Sequence, residues 1–364
     1  MATWFLQLTH GLSPIHNGAG QGLGAIDRPI IREVTTQYPY LQSDSIKGTW
    51  RADALADPGG FGSSKEVVLA AMGEGEATGY QGCVVFQDAH LLAFPVRSLA
   101  GTFAWISSRL ALARLHRWLT LAESHAFPSG DRATALRKKL GELLERSDFL
   151  DQPGSSAGIA ACRDAQEGGP APPEAVAIRS GNNGGVIYAL EGVVLERPTG
   201  ESAQAARAAL ADVATQLAQL LFSDEESYWR QAFCSRFLLV PGDTFRHLVV
   251  HATQVDPNIS IGERGVTTKG SLRYSEYLPP ETILANLLLV QKPLSGNGVT
   301  EDQVVELVKA LGNRFYQVGA DESKGAGLVR SRLFPFHDVA QVLAQAAPQA
   351  GEQEAGGQQA GGGA

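Results

Sequence analysis

Four glycines at every second position, Gly18, Gly20, Gly22 and Gly24, follow soon after an apolar run from Trp4 to Leu8. The run reads as a strand, and it empties into a flexible loop, HNGAGQGLGAIDRPII, that carries His16 and Asp27. A helix is expected next, from about Asp44 to Leu55, with Ser43 or Asp44 as its N-cap. Alternate glycines let a backbone come close to something bulky. The most economical occupant is a phosphate chain, because stacked main-chain N–H groups and the nearby Lys47 and Arg51 suit anionic oxygens. Two other glycine-loop readings fail. The series is GxGxGxG and lacks the GxGxxG step of a dinucleotide site, and AIDRPII, β-branched with Pro29, opens a helix poorly. No Gly-Lys-Ser or Gly-Lys-Thr follows, which excludes a Walker loop.

The charge balance qualifies the phosphate reading. The chain has 30 Lys and Arg against 38 Asp and Glu, a net charge of −8. A nucleic-acid binder usually shows a basic balance. Binding depends on a local patch, however, so any nucleic acid is held on one face or shared with partner subunits. Cys83, Cys162 and Cys234 are far apart and form no CxxC, which argues against a cysteine-built zinc site and fits a reducing cytosol. The opening MATWFLQLTH has no basic region and no long apolar core, so it does not read as a signal peptide. No run of about 18 apolar residues is present, so no membrane span is expected and the location read is cytoplasmic.

At 364 residues the chain allows one large domain or two modest ones. Residues 57 to 80 read as irregular, Gly82 to Phe86 as a buried strand, and Leu91 to Val96 as a second strand interrupted by Pro95. Phe103 to Glu123 reads as one long helix whose apolar face rotates, from Phe103, Ile106 and Leu110 to Leu112, Leu115 and Leu119. Residues 148 to 185, rich in Pro, Gly and Ser, read as an irregular insertion. Helices are expected at 203 to 221, Ser227 to Cys234, Asp243 to Val250 with Asp243 as cap, and Glu301 to Leu311. Strands are expected at Arg236 to Val240, 272 to 278, Ile283 to Leu289 and Gly327 to Leu333. Residues 257 to 271 suggest a hairpin or extended arm, and Gly351 to Ala364 a disordered Gly/Gln tail. The irregular alternation fits an α+β fold better than a parallel doubly wound sheet.

Four segments, in chain order, carry a resemblance. They are HNGAGQGLGAIDRPIIRE with YPYLQSDSIKGTWR, then VVFQDAHLLAFPVRS, then YSEYLPPETIL, then GADESKGAGLVRSRL. Together they resemble the RAMP superfamily of CRISPR effector proteins, and within it the backbone subunits of type III-B (Cmr) complexes. The resemblance implies a single domain over residues 1 to 350, with a ferredoxin-like (RRM-related) core, helical insertions and a projecting β-hairpin arm at about 252 to 275. It implies copies stacked in a filament along a CRISPR guide RNA, other type III-B subunits as partners, and cleavage of complementary target RNA with a divalent metal ion, Mg or Mn. The family's catalytic loop Asp falls on Asp27, which would also meet the metal, and its loop His falls on His16. The family's Glu and Tyr fall on Glu276 and Tyr277, where Ser275 stands in place of a frequent acid. RNA contacts are implied at Gly18, Gly20, Gly22, Ser45, Lys47, Arg51, Lys324, Gly325 and Gly327. The chain departs from the pattern at Asn17, at Asp44 beside Lys47, and at Arg28, which replaces an apolar residue.

The chemistry asked of such a site is definite. RNA brings its own nucleophile, the 2′-OH. Cleavage needs that oxygen in line with the phosphorus, a way to remove its proton, and stabilisation of the developing charge. An Asp on a glycine-hinged loop can take a proton or help hold a metal, and His16 suits acid or base work. Plainer roles stand beside these. An Asp before x-Pro commonly starts a turn, a lone His is often structural, Glu276 and Tyr277 could end a strand, and Asp88 could cap a turn. A non-cleaving RNA-binding scaffold and a guide-RNA-processing endoribonuclease remain the alternatives to a target-RNA nuclease.

Overall fold

A computed structural model describes residues 2–20, 22, 24–74, 79, 81–126, 135–161, 175–180, 185–294 and 298–336. Its strands are β1 Thr3–Gly11, β2 Tyr40–Leu41, β3 Val84–Phe86, β4 Ala89–Arg97, β5 Phe103–Ser108, β6 Ile159–Ala160, β7 Ile178–Ser180, β8 Gly185–Leu190 and β9 Val193–Glu196. They continue with β10 Phe237–Val240, β11 Gln254–Asn258, β12 Arg273–Tyr277, β13 Ile283–Val290, β14 Phe315–Gln317 and β15 Leu328–Pro335. The helices are α1 Ser43–Ala56, α2 Lys65–Met72, α3 Arg109–Ala126, α4 Ala135–Arg146, α5 Glu201–Leu221, α6 Ser227–Arg236, α7 Gly242–His251 and α8 Glu301–Gly312.

One mixed sheet organises the described residues, in the order β14-β15-β1-β13-β4-β5-β10-β6, with β2 and β3 paired onto β4 and β13. β1 lies antiparallel between β13 and β15, so its backbone donors and acceptors are used on both sides. Alternation along β1 feeds two cores. Phe5 joins a cluster with Ile46 and Trp50 of α1, Val68 of α2 and Val304 of α8. Leu6 and Leu8 join the opposite cluster, with Leu115 of α3, Leu140 of α4 and Leu217 of α5. Helices therefore cover both faces, and each large apolar side chain so buried contributes about 1.5–3 kcal/mol. Between them, the buried Gln7 donates to Ser331 Oγ at 2.8 Å and Tyr316 Oη at 3.2 Å.

Several elements differ from the sequence expectation. Phe103 to Glu123 is not one helix: β5 ends at Ser108 and α3 begins at Arg109. The rotating apolar face marks that junction. Trp105 points to one core and Ile106 to the other, as a strand buried on both faces requires. Of the two helical stripes, the second is buried through Leu112, Leu115 and Leu119, while Leu110 is exposed. Neither Ser43 nor Asp44 caps α1. Gln42 occupies the N-cap without a side-chain bond, and Asp88 accepts from Ser43 N at 2.8 Å. The cap thus comes from the β3–β4 turn. Asp243 sits in the first turn of α7, after an N-cap at Pro241. Residues 57 to 80 contain α2, started by Ser64 accepting from Val67 N. Helix α4 occupies a stretch for which no element was expected. The presumed insertion places β6 at the sheet edge, while 162–174 and 181–184 lie outside the described residues, as does the Gly/Gln tail.

β11 and β12 form a separate two-stranded antiparallel hairpin, with an Ile261–Thr267 bridge beyond it and residues 259–270 exposed or at its tip. Its base packs against the glycine loop.

The turn that follows the glycine loop is held by charge. Glu33 accepts from His90 Nδ1 and Arg114 Nη1, both at 2.6 Å, from Arg114 Nη2 at 2.8 Å, and from the Thr36 hydroxyl. Burial pushes the Glu33 carboxyl up, but those donors outweigh it and bring it from 4.5 to about 2. The folded state thus favours the ionised form. The stability this confers is complete above the unfolded-state value and is lost as pH falls toward 2. We expect Glu33→Gln to cost up to about 3 kcal/mol at pH 7. In denaturant melts its deficit should shrink steadily below pH 4.5; a deficit independent of pH would refute the assignment.

Candidate nucleic-acid interface

The chain leaves β1 at Gly11 and makes a second, shorter attachment before the glycines. Ile15 bridges Leu278, and His16 O accepts from Ala320 N at 2.9 Å. His16 is buried, with its ring 5.4 Å from that of Tyr277. Its Nδ1 lies 2.7 Å from Glu276 O. A carbonyl can only accept, so Nδ1 carries a proton and Nε2 is the ring nitrogen left outside that bond. Nε2 faces Gly18, where an added Cβ would stand 2.9 Å away. Gly319 is required on the other side: its φ is +88° and a Cβ would meet His16 O at 2.4 Å. Gly18 lets backbone close on the imidazole, and Gly319 on the His16 carbonyl.

The glycine run folds back on the segment after it. Ala19 N donates to Pro29 O at 2.9 Å and Gly22 N to Asp27 O at 3.0 Å. Asn17, one of the departures from the family pattern, is buried and fastens this loop to α1. Its carbonyl accepts from Ile31 N at 2.8 Å, its Nδ2 donates to Tyr40 O at 3.1 Å, and its Oδ1 accepts from Ser45 Oγ at 3.1 Å.

The return segment is laid along β12 as a short parallel ladder. Arg28 N donates to Tyr274 O at 3.0 Å and Arg28 O accepts from Glu276 N at 2.9 Å. Asp27 is exposed at its start. Its Oδ2 accepts from Tyr274 N at 2.7 Å, and Oδ1 has no protein partner among the described residues. Arg28 Nη1 reaches Asp321 Oδ2 at 2.9 Å, and the Tyr277 hydroxyl donates to the same oxygen at 2.9 Å. Burial, then Asp321, pushes the Tyr277 hydroxyl above its ordinary range.

Glu276 stands differently from Asp27. It is buried, and its carboxylate accepts from Ile30 N at 3.0 Å, Arg32 Nη2 at 2.5 Å and Thr253 Oγ1 at 2.8 Å. Arg32 also donates to Val249 O at 2.9 Å. The carboxylate is therefore occupied inside the protein, tying the loop to α7 and the hairpin base.

An open cleft of about 820 Å³ runs between this loop and the first turns of α1. His16, Gly18, Gly20, Gly22, Asp27 and Arg28 line one side, Asp44, Ser45 and Gly48 the other, with Arg273 and Gly319 at its ends. So Asp27, His16, the three glycines and Ser45 come together. Lys47 and Arg51 are not in the lining; Arg51 Nε turns to Gly73 O at 3.3 Å, closing the end of α2. Lys324 Nζ lies 3.4 Å from both Asp321 Oδ1 and Asn258 Oδ1. Gly325 and Gly327 shape the loop behind the cleft, with Gly327 N donating to Pro14 O at 2.7 Å. Arg273 and Asp321 were not singled out from the sequence. Their neighbours, LRYSEYL and GADESKG, were recognised, but nothing local distinguishes these two side chains from solvated ones.

Among the described residues no three His, Cys, Asp or Glu side chains gather as a metal cage. The donor set does not fit an ion held by protein alone. Two carboxylates line the cleft, Asp27 with its Oδ1 unbonded and, across from it on α1, the exposed Asp44, whose side chain has no protein partner among the described residues. Among the described residues no helix is long and apolar enough to cross a membrane.

Comparison with known proteins bears on this geometry. The sequence profile of the RAMP superfamily matches residues 10–330. A Pyrococcus furiosus protein named CRISPR system Cmr endoribonuclease Cmr4 is 26% identical over 326 residues, covering 88% of this chain and 92% of its own. A crystal structure of oligomeric Cmr4 from Pyrococcus furiosus superposes with a TM-score of 0.58 at 23% identity, over 92% of this chain and 99% of that one. A chain in the cryo-EM structure of the type III-B Cmr-beta complex bound to cognate target RNA gives 0.64 at 18% identity, over 93% and 98%.

Proposed function

This chain belongs to the RAMP superfamily, and from that premise we propose that it is a backbone subunit of a type III-B CRISPR ribonucleoprotein that cleaves target RNA. The whole-length similarity to a Cmr endoribonuclease supports this reading. The observation that carries it is the Asp27 carboxylate, exposed on the rim of a glycine-walled cleft with one oxygen free. In this reading the core is ferredoxin-like, and the β11–β12 hairpin is the arm that meets the guide–target duplex. Guide RNA, target RNA, further copies of the chain and other complex subunits are its partners.

The chemistry follows from the side chains. RNA lies with its backbone across Gly18, Gly20 and Gly22, where no side chain holds it away. Arg273 faces its phosphates, while the Arg28 guanidinium stays paired with Asp321. The ribose 2′-oxygen is placed beside Asp27, whose free Oδ1 accepts its proton or orients it. His16, held through Nδ1, presents Nε2 toward the same space for proton transfer. A divalent ion, Mg or Mn, would be held by Asp27 together with RNA phosphate oxygens, as such ions commonly are held. When bound there it would neutralise charge developing on the phosphate.

The test uses the full chain assembled with a guide RNA and the other subunits of its complex. A labelled RNA complementary to the guide should be cut at regular positions, while a non-complementary RNA of equal length stays intact. Binding of the complementary strand without cutting would favour the scaffold alternative. Cutting of a guide precursor with no target present would favour guide processing.

A further inference from the structure

Asp321 lies where three segments of the cleft wall meet. Its own loop is joined to the exit of β1 by the 2.9 Å bond from Ala320 N to His16 O. Its Oδ2 takes both Arg28 Nη1 and the Tyr277 hydroxyl at 2.9 Å, and its Oδ1 faces Lys324 Nζ at 3.4 Å. Its backbone is left-handed, with φ of 66°, a region that Asp tolerates better than most residues. Its carbonyl accepts from Lys324 N at 2.9 Å and Ala326 N at 3.3 Å. Only 12% of the side chain is exposed. Burial pushes the carboxyl up, but Arg28, Tyr277 and Lys324 outweigh it and hold it below the ordinary range, so it is an anion at neutral pH.

Arg28 is thereby tied through its backbone and its guanidinium, whose Nη1 also lies 3.4 Å from Ser275 Oγ on β12. Its N and O are bonded to β12, and its guanidinium to Asp321. Asp27 is the preceding residue, so what holds Arg28 also sets the direction of the Asp27 carboxylate. The guanidinium also lines the cleft, 30% exposed. Without its counter-ion it is free to swing toward RNA phosphates.

We propose that Asp321 is a positioning residue for RNA cleavage: it holds Arg28 back and so keeps Asp27 aimed at the ribose. The proposal rests on the reading of Asp27 given above. It assigns opposite effects to one substitution, and a merely structural role does not. In the assembled complex, Asp321→Asn should slow single-turnover cleavage at saturating target by about 10- to 100-fold, the loss expected for a displacement of about 1 Å. Its dissociation constant for target RNA should stay equal to the parent's or become tighter. An unchanged cleavage rate overturns the proposal, and so does weaker binding. Asp27→Asn is assayed in parallel. If that variant cuts at the parental rate, the catalytic reading itself has failed. If it is inactive while Asp321→Asn cuts normally, only the positioning role has failed. Should Asp321→Asn not fold, Arg28→Ala removes the same contact and should slow cleavage by a similar factor; parental cleavage by Arg28→Ala overturns the proposal equally.

Discussion

Asn in place of Asp27 is expected to lower target-RNA cleavage by about 10²- to 10⁴-fold, the range ascribed to a positioned acid–base group. RNA affinity and thermal stability should not change. The expectation follows from how the side chain is held. Only Oδ2 has a structural duty, accepting from Tyr274 N at 2.7 Å. An Asn side-chain oxygen can accept the same bond, so the loop keeps its place along β12. What is lost is the free, negatively charged oxygen that faces the cleft. Asn can neither accept a proton from a ribose hydroxyl nor share a divalent ion with phosphate. Single-turnover cleavage by the assembled complex, beside filter binding of the same target, measures both halves. Normal cutting by the Asn variant would remove Asp27 from the chemistry. Loss of binding in step with cutting would make it a binding residue.

Glu276→Ala should act on stability first. Three donors, from Ile30, Arg32 and Thr253, converge on this carboxylate, which is only 4% exposed. Its removal leaves Arg32, 15% exposed, beside a void with no counter-ion. Breaking one side of a buried pair in this way costs about 3–5 kcal/mol. Because Ile30 N loses its acceptor, the segment carrying Asp27 should loosen as well. Denaturant melts should show the deficit, and hydrogen exchange should rise at residues 26–32 before it rises in β1. Glu276 is also a family candidate for the catalytic set, and the same variant separates the roles. Lost cleavage with an unchanged melt would place it in the chemistry. Lost stability with slower cleavage makes it the anchor of the loop.

How much of this was legible in the sequence depends on how local each cause is. The exit of β1 into a loop was readable, since glycine and proline act on their own backbone. Buried strands such as β10 and β13 were readable as short apolar runs, and α5 and α8 as periodic helices. The β5–α3 junction was not. Phe103, Ile106 and Leu110 satisfy helical spacing, and only pairing of β5 with β4 and β10 makes the first half a strand. The extent of α1 was readable, but its capping group was not, because the carboxylate that accepts from Ser43 N is Asp88, 45 residues along the chain.

The candidate site divides along the same line. His16, Asp27 and the glycines form one short segment, so their association was present in the order of residues. The difference between Asp27 and Glu276 was not, since both are loop or strand-end carboxylates in one dimension. Packing buries one among three donors and leaves the other with a free oxygen.

The amino-acid order determined that a glycine-hinged loop with a His and an Asp follows the first strand, and which family's segments surround it. That much holds because backbone freedom and short-range spacing are properties of neighbouring residues. Which carboxylate faces the cleft and which is sealed inside was decided only in three dimensions. So was the joining of Arg28 to Asp321 across 293 residues. Burial and charge pairing depend on what the rest of the chain brings to a point, and no local stretch carries that information.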